Sequence, residues 1–265
     1  KGEMEMNLKL ITGAAALLAA AGAPAAVAAP SNEEILKGFA EDFTQDPYLT
    51  GALRLGVEVG DQFYTIDVAP GGEGREARTN VSAGKPSEPV FYFTVENRAR
   101  LEKLHAGKMN ALTMMAAAFS SDVTPLDIEV MEGFEPPENF GEWIIPFIFH
   151  FWTKGTPEIV SFADQETRVT HGANVGVFYY QSGLRSAWFD IRPGQHVNED
   201  ERSRENPFPS MFFLLKGEVT AIIDNERMTF TEGNMMFIPA GVTHQFVNEG
   251  DAAAFGLLFM FGEGA

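Results

Sequence analysis

The chain's chemistry rests on few residue types. Of its 265 residues, five are histidine and none is cysteine. Without thiols there is no disulfide scaffold, cysteine-held zinc, iron–sulfur cluster or thiol nucleophile. Histidine is the side chain that changes charge near neutral pH, and its free nitrogen lone pair serves a proton, a donor or a metal. His196 lies in Pro193-Gly194-Gln195-His196-Val197-Asn198, and His244 follows Pro239-Ala240-Gly241. Pro239 and Gly241 break a strand, so the chain turns and His244 points inward. His105 and His171 fall at helix and turn positions and read as surface residues. His150, inside an apolar run, reads as hydrogen-bonded core. Other chemistries lack their motifs. There is no P-loop, no helix follows Gly71-Gly72-Glu73-Gly74 to make a dinucleotide site, and no G-x-S-x-G elbow presents a serine.

Strands must position these residues. Val175–Tyr180, Ala187–Arg192, Met211–Leu215, Val219–Ile223, Met228–Phe230, Met235–Ile238, Val242–Val247 and Phe255–Phe261 are short runs parted by turn residues. That spacing predicts a double-sheet barrel or sandwich. Gly233 to Asn248 resembles the second cupin motif, G-x5-P-x-G-x2-H-x3-N, at every specified position. The first cupin motif starts at Pro193 and closes on Ser210–Gly217, with its first histidine kept as His196, its second replaced by Asn198 and its glutamate by Ser210. The resemblance covers about residues 165–262. It implies an all-β cupin domain over 165–265, a double-stranded β-helix or jelly-roll barrel. It also implies that His196 and His244 converge as ligands of a divalent transition metal such as Fe, Mn, Zn or Ni. Two neutral imidazoles hold such an ion weakly, so a third donor is needed from Asn198, Ser210 or the loop carboxylates Glu199, Glu201 and Glu205. The alternative is a metal-free pocket whose histidines bond buried groups.

The first half reads as mixed helix and strand. Ser31 or Asn32 caps a helix whose Ile35, Leu36, Phe39 and Phe43 share a face. Strands follow over 53–59 and 64–68 about a Gly60-Asp61 turn, residues 70–89 read as a loop, and 90–95 is a third strand. Asn97 caps a second helix, Met109–Phe119 is a third, and Leu126, Ile128 and Val130 mark a last strand. Val90–Asn97 followed by Leu101–Leu112 resembles the sterol carrier protein family, over about residues 33–133. The resemblance implies an α/β layer with an apolar tunnel for lipid-like ligands, lined by Met109, Leu112, Met115 and Phe119. Methionine suits that role because it is flexible and polarizable; the alternative is that all four are ordinary core. The expected fold class is therefore α+β, a sterol-carrier-like layer over 31–135 and a cupin barrel, joined by a linker and aromatic segment over 136–164.

A net charge of -18 repels phosphate backbones and excludes nucleic acid as a partner. Met6-Asn7-Leu8-Lys9, the apolar run to Ala23 and Ala26-Val27-Ala28 have the form of a signal peptide over 1–28, implying export to a bacterial periplasm or the exterior, with no membrane span after processing. Trp143–Trp152 is apolar but for His150 and too short to span a bilayer. It reads either as a packed edge segment or as an exposed patch. The expected function is capture of a hydrophobic or amphipathic small molecule, with a lipid- or sterol-like ligand in the first domain and a polar one in the cupin pocket. The rivals are a metal-dependent oxygenase, lyase or isomerase using His196 and His244, and an interaction module using the 140–152 aromatics. The cupin resemblance also admits a homodimer through that domain.

Overall fold

The structure is a computed structural model that describes residues 29–72, 74–154, 159–161 and 164–265. The leader expected over 1–28 lies outside the described residues. Helix α1 (Asn32–Phe43) starts at a reciprocal cap, in which Ser31 Oγ accepts from Glu34 N and Glu34 Oε2 accepts from Ser31 N. Its stripe of Ile35, Leu36, Phe39 and Phe43 is buried. It packs on a five-stranded sheet of β1 (Leu53–Val59), β2 (Gln62–Ala69), β3 (Arg78–Ala83), β4 (Phe91–Val95) and β5 (Leu126–Val130), in the order β3-β2-β1-β4-β5. Only β1 and β4 pair parallel, which makes this region mixed α/β. Strand β3 lies within the span 70–89 expected as loop. It is an edge strand with Val81 alone buried, so it lacks the apolar alternation that marks a strand.

Helices α2 (Arg98–His105) and α3 (Ala111–Met114) follow β4. The helix expected over 109–119 is thus cut to four residues. Arg168 Nη1 donates to the Met114 carbonyl at 2.7 Å, and Asp122 Oδ2 accepts from Ala118 N and Phe119 N at 2.9 and 3.1 Å. Those bonds give the alanine run partners outside a helical ladder. The 140–152 aromatics form α4 (Phe140–Phe151). Its Ile144, Phe147, Ile148 and Phe151 are buried, with Phe147 5.3 Å from Phe43 and 6.0 Å from Phe93 between ring centroids. Rings that an exposed patch would present are therefore inside the core that begins at α1. His150 Nδ1 lies 2.9 Å from Asp46 Oδ2, and its ring stacks on Tyr48. No described helix is long and apolar enough to cross a membrane.

The second half forms two antiparallel sheets. One holds β6 (Arg168–Thr170), β7 (Ala173–Gln181), β8 (Leu184–Ile191), β10 (Ser210–Lys216), β13 (Met235–Ile238) and β15 (Ala254–Phe261), in the order β13-β10-β15-β8-β7-β6. The other holds β9 (His196–Val197), β11 (Glu218–Ile223), β12 (Glu226–Thr231) and β14 (His244–Val247), in the order β12-β11-β14-β9. They face each other across Phe189, Phe212, Val219, Phe230 and Phe246. The expected barrel is not closed: among the described residues no strand belongs to both sheets. The strands at one seam, β6 and β9, have three and two residues, too few to carry a ladder across. Asn198 N donates to the His171 carbonyl at 2.8 Å and Asn174 Nδ2 to Gln195 Oε1 at 3.2 Å across that side.

The two halves join where β6 runs out. Strand β6 pairs with β7 only as far as Val175, which leaves the outer edge of β7 open beyond it. There Val177 N donates to Thr113 Oγ1 at 2.9 Å, and Asn110 Nδ2 donates to the Val177 carbonyl at 2.8 Å. Asn110 also caps α3 through Thr113 N. Thr113→Val keeps the shape but strands the Val177 N–H. It should lower unfolding stability by about 1–3 kcal/mol in urea titrations, the cost of an unsatisfied donor. Thr113→Ser, which keeps the hydroxyl, should lose less; equal losses would show that the bond contributes nothing.

Candidate functional site

The inner faces of the two sheets enclose a cavity of about 440 Å³. Strand β8 lines it with every second residue, Arg185, Ala187, Phe189 and Ile191, as strand alternation requires. On β7 the inward file is Ala173, Val175 and Val177; a register shift between Val177 and Tyr179 then brings Tyr180 inward. Leu112, Met115 and Ala116 at α3, with Ile145 and Ile148 of α4, form the roof. The walls are mostly apolar, and the main polar groups are His171, Arg185, Asn198, Arg202, Glu205, Asn206 and His244.

His171 is exposed in a turn, as expected, and it also lines the cavity. It and Gly172 form the β6–β7 turn with φ of 51° and 89°. Gly172 lies against the His196 carbonyl, where a Cβ would come within 2.0 Å, so no side chain fits there. The ring reaches solvent, yet protein crowding on its inner side lowers its pKa against the opposing pull of Asp122 and Asp200. Phe119 meets it edge-on at 5.7 Å, and the Arg202 guanidinium lies 3.8 Å from the Phe119 ring centroid. Asp200 holds Arg202 at 2.7 and 3.0 Å, and those bonds pull the Asp200 carboxyl down to about 2.

His244 opens β14 after the Pro239–Gly241 turn and is 2% exposed. Its Nδ1 lies 3.1 Å from the Val242 carbonyl. A carbonyl only accepts, so Nδ1 carries the proton and the Nε2 lone pair is left free. Burial pushes the pKa of the ring down; the Val242 bond opposes this and the nearby His171 adds to it. A neutral acceptor, side-chain amides and a guanidinium around apolar walls are suited to orienting a molecule with a polar end and a hydrocarbon body.

The expected metal centre does not form. Among the described residues, no three histidine, aspartate or glutamate side chains are placed to hold an ion, so the Fe, Mn, Zn or Ni cofactor is withdrawn. His196 and His244 do not converge. On β9 it is Val197 that turns inward, opposite Phe246, while His196 is exposed. Asn198 is buried with φ of 58° and donates to the His244 carbonyl at 3.3 Å. Ser210 is buried and accepts from Asn206. Glu199, Glu201 and Glu205 are exposed; Arg204 lies 4.0 Å from Glu201, and Glu205 alone of the three lines the cavity, without two further ligands beside it.

Of the four residues expected in a tunnel, Met109 is buried in the first core. Leu112 and Met115 line the cavity between the sheets, and Phe119 does not line it but packs edge-on against His171, which does. Arg185, Tyr180 and Arg202 were missed. The signal for Arg185 was present in the alternation Arg185-x-Ala187-x-Phe189-x-Ile191, which puts an arginine on an apolar file. The buried neutral His244 generates a pH dependence. Its unfolded pKa is near 6.5 and its folded value lower, so the unfolded chain takes up the proton first. The stability this residue contributes is present above about 6.5 and is lost as pH falls toward the folded value. The urea midpoint should therefore drop between pH 7.5 and 5.5, and less so in His244→Asn, whose amide can keep the Val242 bond. A flat wild-type profile would rule out a buried neutral imidazole.

Residues 187–261 match the family model of the cupin domain. Among solved structures, a Cupin 2 conserved barrel domain protein from Salinispora arenicola is 17% identical, with 40% of this chain and 90% of that chain covered and a TM-score of 0.36. A conserved protein of unknown function from Streptococcus pyogenes is 19% identical, with 42% and 91% covered and a TM-score of 0.34. An RmlC-like cupin from Shewanella frigidimarina is 16% identical, with 40% and 91% covered and a TM-score of 0.33. No curated protein matches the chain. The family match does not reach residues 31–135, where likeness to sterol carrier proteins rests on sequence pattern alone. The C-terminal part of this chain is a cupin domain, a statement of its fold and not of any one activity.

Proposed function

We propose that the chain captures an amphipathic small molecule in the cavity between its two C-terminal sheets, under a roof made by α3 and α4. The observation that carries this reading is an apolar cavity of about 440 Å³ with a few inward polar groups, the usual form of a small-molecule site. The lipid-like ligand expected in the first domain is moved by this reading to the shared cavity, where Leu112 and Met115 meet it. A series of n-alkanols binding the full chain should gain about 0.8 kcal/mol per methylene, about fourfold in affinity, until the cavity is filled. Ala187→Leu, which fills space on the inner face of β8, should cut off the longer members while the protein stays folded by circular dichroism. Affinity that does not change with chain length would overturn the reading.

A second reading, a homodimer through the cupin domain, is favoured by the outward face of the six-stranded sheet. Leu215, Met235 and Phe237 are about half exposed there, at 48%, 51% and 51%. Phe237 pairs with Met211, which pairs in turn with Phe259, so the apolar side chains run on across three strands. Such a face is larger than isolated exposed residues explain. Light scattering should find a dimer that Phe237→Glu dissociates; a wild-type monomer throughout a dilution series would exclude it.

A further inference from the structure

We infer that the molecule captured in this cavity is an anion, with a carboxylate-type head group seated on Arg185. The inference rests on the capture reading above and specifies its ligand class. Arg185 is the one charged residue on the inward file of β8, followed on that face by Ala187, Phe189 and Ile191. Its guanidinium lies between the rings of Tyr180, at 4.6 Å, and Phe208, at 5.0 Å. Nη2 donates to the Gly264 carbonyl at 3.1 Å. The terminal turn that presents this carbonyl is itself held, with Gly183 N donating to Ala265 O and Gly262 N to Gly183 O, each at 3.0 Å. The Nε atom is buried and has no hydrogen-bond partner.

Among the described residues, no carboxylate stands within ion-pair distance of this arginine. Acidic residues outnumber basic ones 37 to 19, and exposed arginines such as Arg54, Arg98 and Arg227 have carboxylates at 2.6–2.8 Å. Arginine does not shed its proton, so the charge cannot be relieved by titration. Two aromatic faces offset part of the desolvation, and one carbonyl satisfies one donor. A planar anion arriving from the cavity would supply the missing counter-charge and acceptors for the guanidinium fork. The same file then offers Ala187 and Phe189 to the hydrocarbon behind the head group.

The test uses the full chain and a matched pair of probes, dodecanoate and dodecanol, by calorimetry at pH 7.5. The wild type should bind dodecanoate about tenfold more tightly than dodecanol, the scale of a charge-assisted hydrogen bond. Arg185→Gln should erase that preference, lowering dodecanoate affinity about tenfold relative to dodecanol. Arg185→Lys keeps charge without the fork and should retain part of the preference; it also serves if the glutamine variant does not fold. Equal affinity for the two probes in the wild type, or a preference that survives in Arg185→Gln, would overturn the anion inference while the capture reading stands. If neither probe binds, both fall together.

Discussion

The open edge of β7 sets how the two halves of the chain meet. A strand edge carries N–H and C=O groups that must find partners. Strand β6 serves this edge for three residues and stops. At Val177 the partners come from the first half, as the hydroxyl of Thr113 and the amide of Asn110. Because both residues belong to the first turn of α3, the bonds that complete the sheet also fix that helix, and so place Leu112 and Met115 over the cavity. Glu166 N to the Lys108 carbonyl, 2.7 Å, and Arg168 to the Met114 carbonyl, also 2.7 Å, extend the seam. The exposed Lys103–Glu166 pair adds little beside them, since screened surface ion pairs contribute well under the worth of a backbone-directed bond.

One irregularity in the same strand determines what the cavity contains. Strict alternation from Val177 would point Tyr179 inward and Tyr180 outward. The shift between Val177 and Tyr179 reverses this. Tyr180 then stands inside against Arg185, and Tyr179 meets Phe149 of α4 edge-on at 5.1 Å on the other side. A single extra residue thus supplies an aromatic face to the Arg185 cation and another to the junction between the halves. Bulges commonly re-aim a side chain in this way.

What could be read from the sequence was what local pattern controls. The short runs and their turns placed the strands of the second half, and Pro239 with Gly241 set the turn that buries His244. The orientation of His196 could not be read, because it depends on the register of a two-residue strand, and a slip of one position reverses every side chain. The loop acids read as spare ligands only while the arginines between them were not yet paired in space. Met109–Phe119 has high helix propensity, but Arg168 and Asp122, distant or beyond its end, give its backbone other partners. Strand β3 hides because an edge strand needs only one buried side chain. His171 lies in a polar turn whose neighbours are decided by where β9 passes, which no window of sequence around it contains.

The charge of the whole chain and the charge of the site act in opposite directions. At a net charge of -18, the surface slows the approach of any anion. That field is screened over about 8 Å in solvent at physiological ionic strength, so it acts on the approach only at short range. Inside, burial keeps His244 neutral, and Arg185 supplies a fixed positive charge with no carboxylate beside it. Recognition in such a site is asymmetric. Adding or removing a methylene changes only hydrocarbon contact with adaptable side chains such as Met115, and the effect per carbon is small. Under the proposed capture of an anion, replacing the head group by a neutral one of the same size leaves the Arg185 guanidinium without its counter-charge, whereas the tail is read only through hydrocarbon contact.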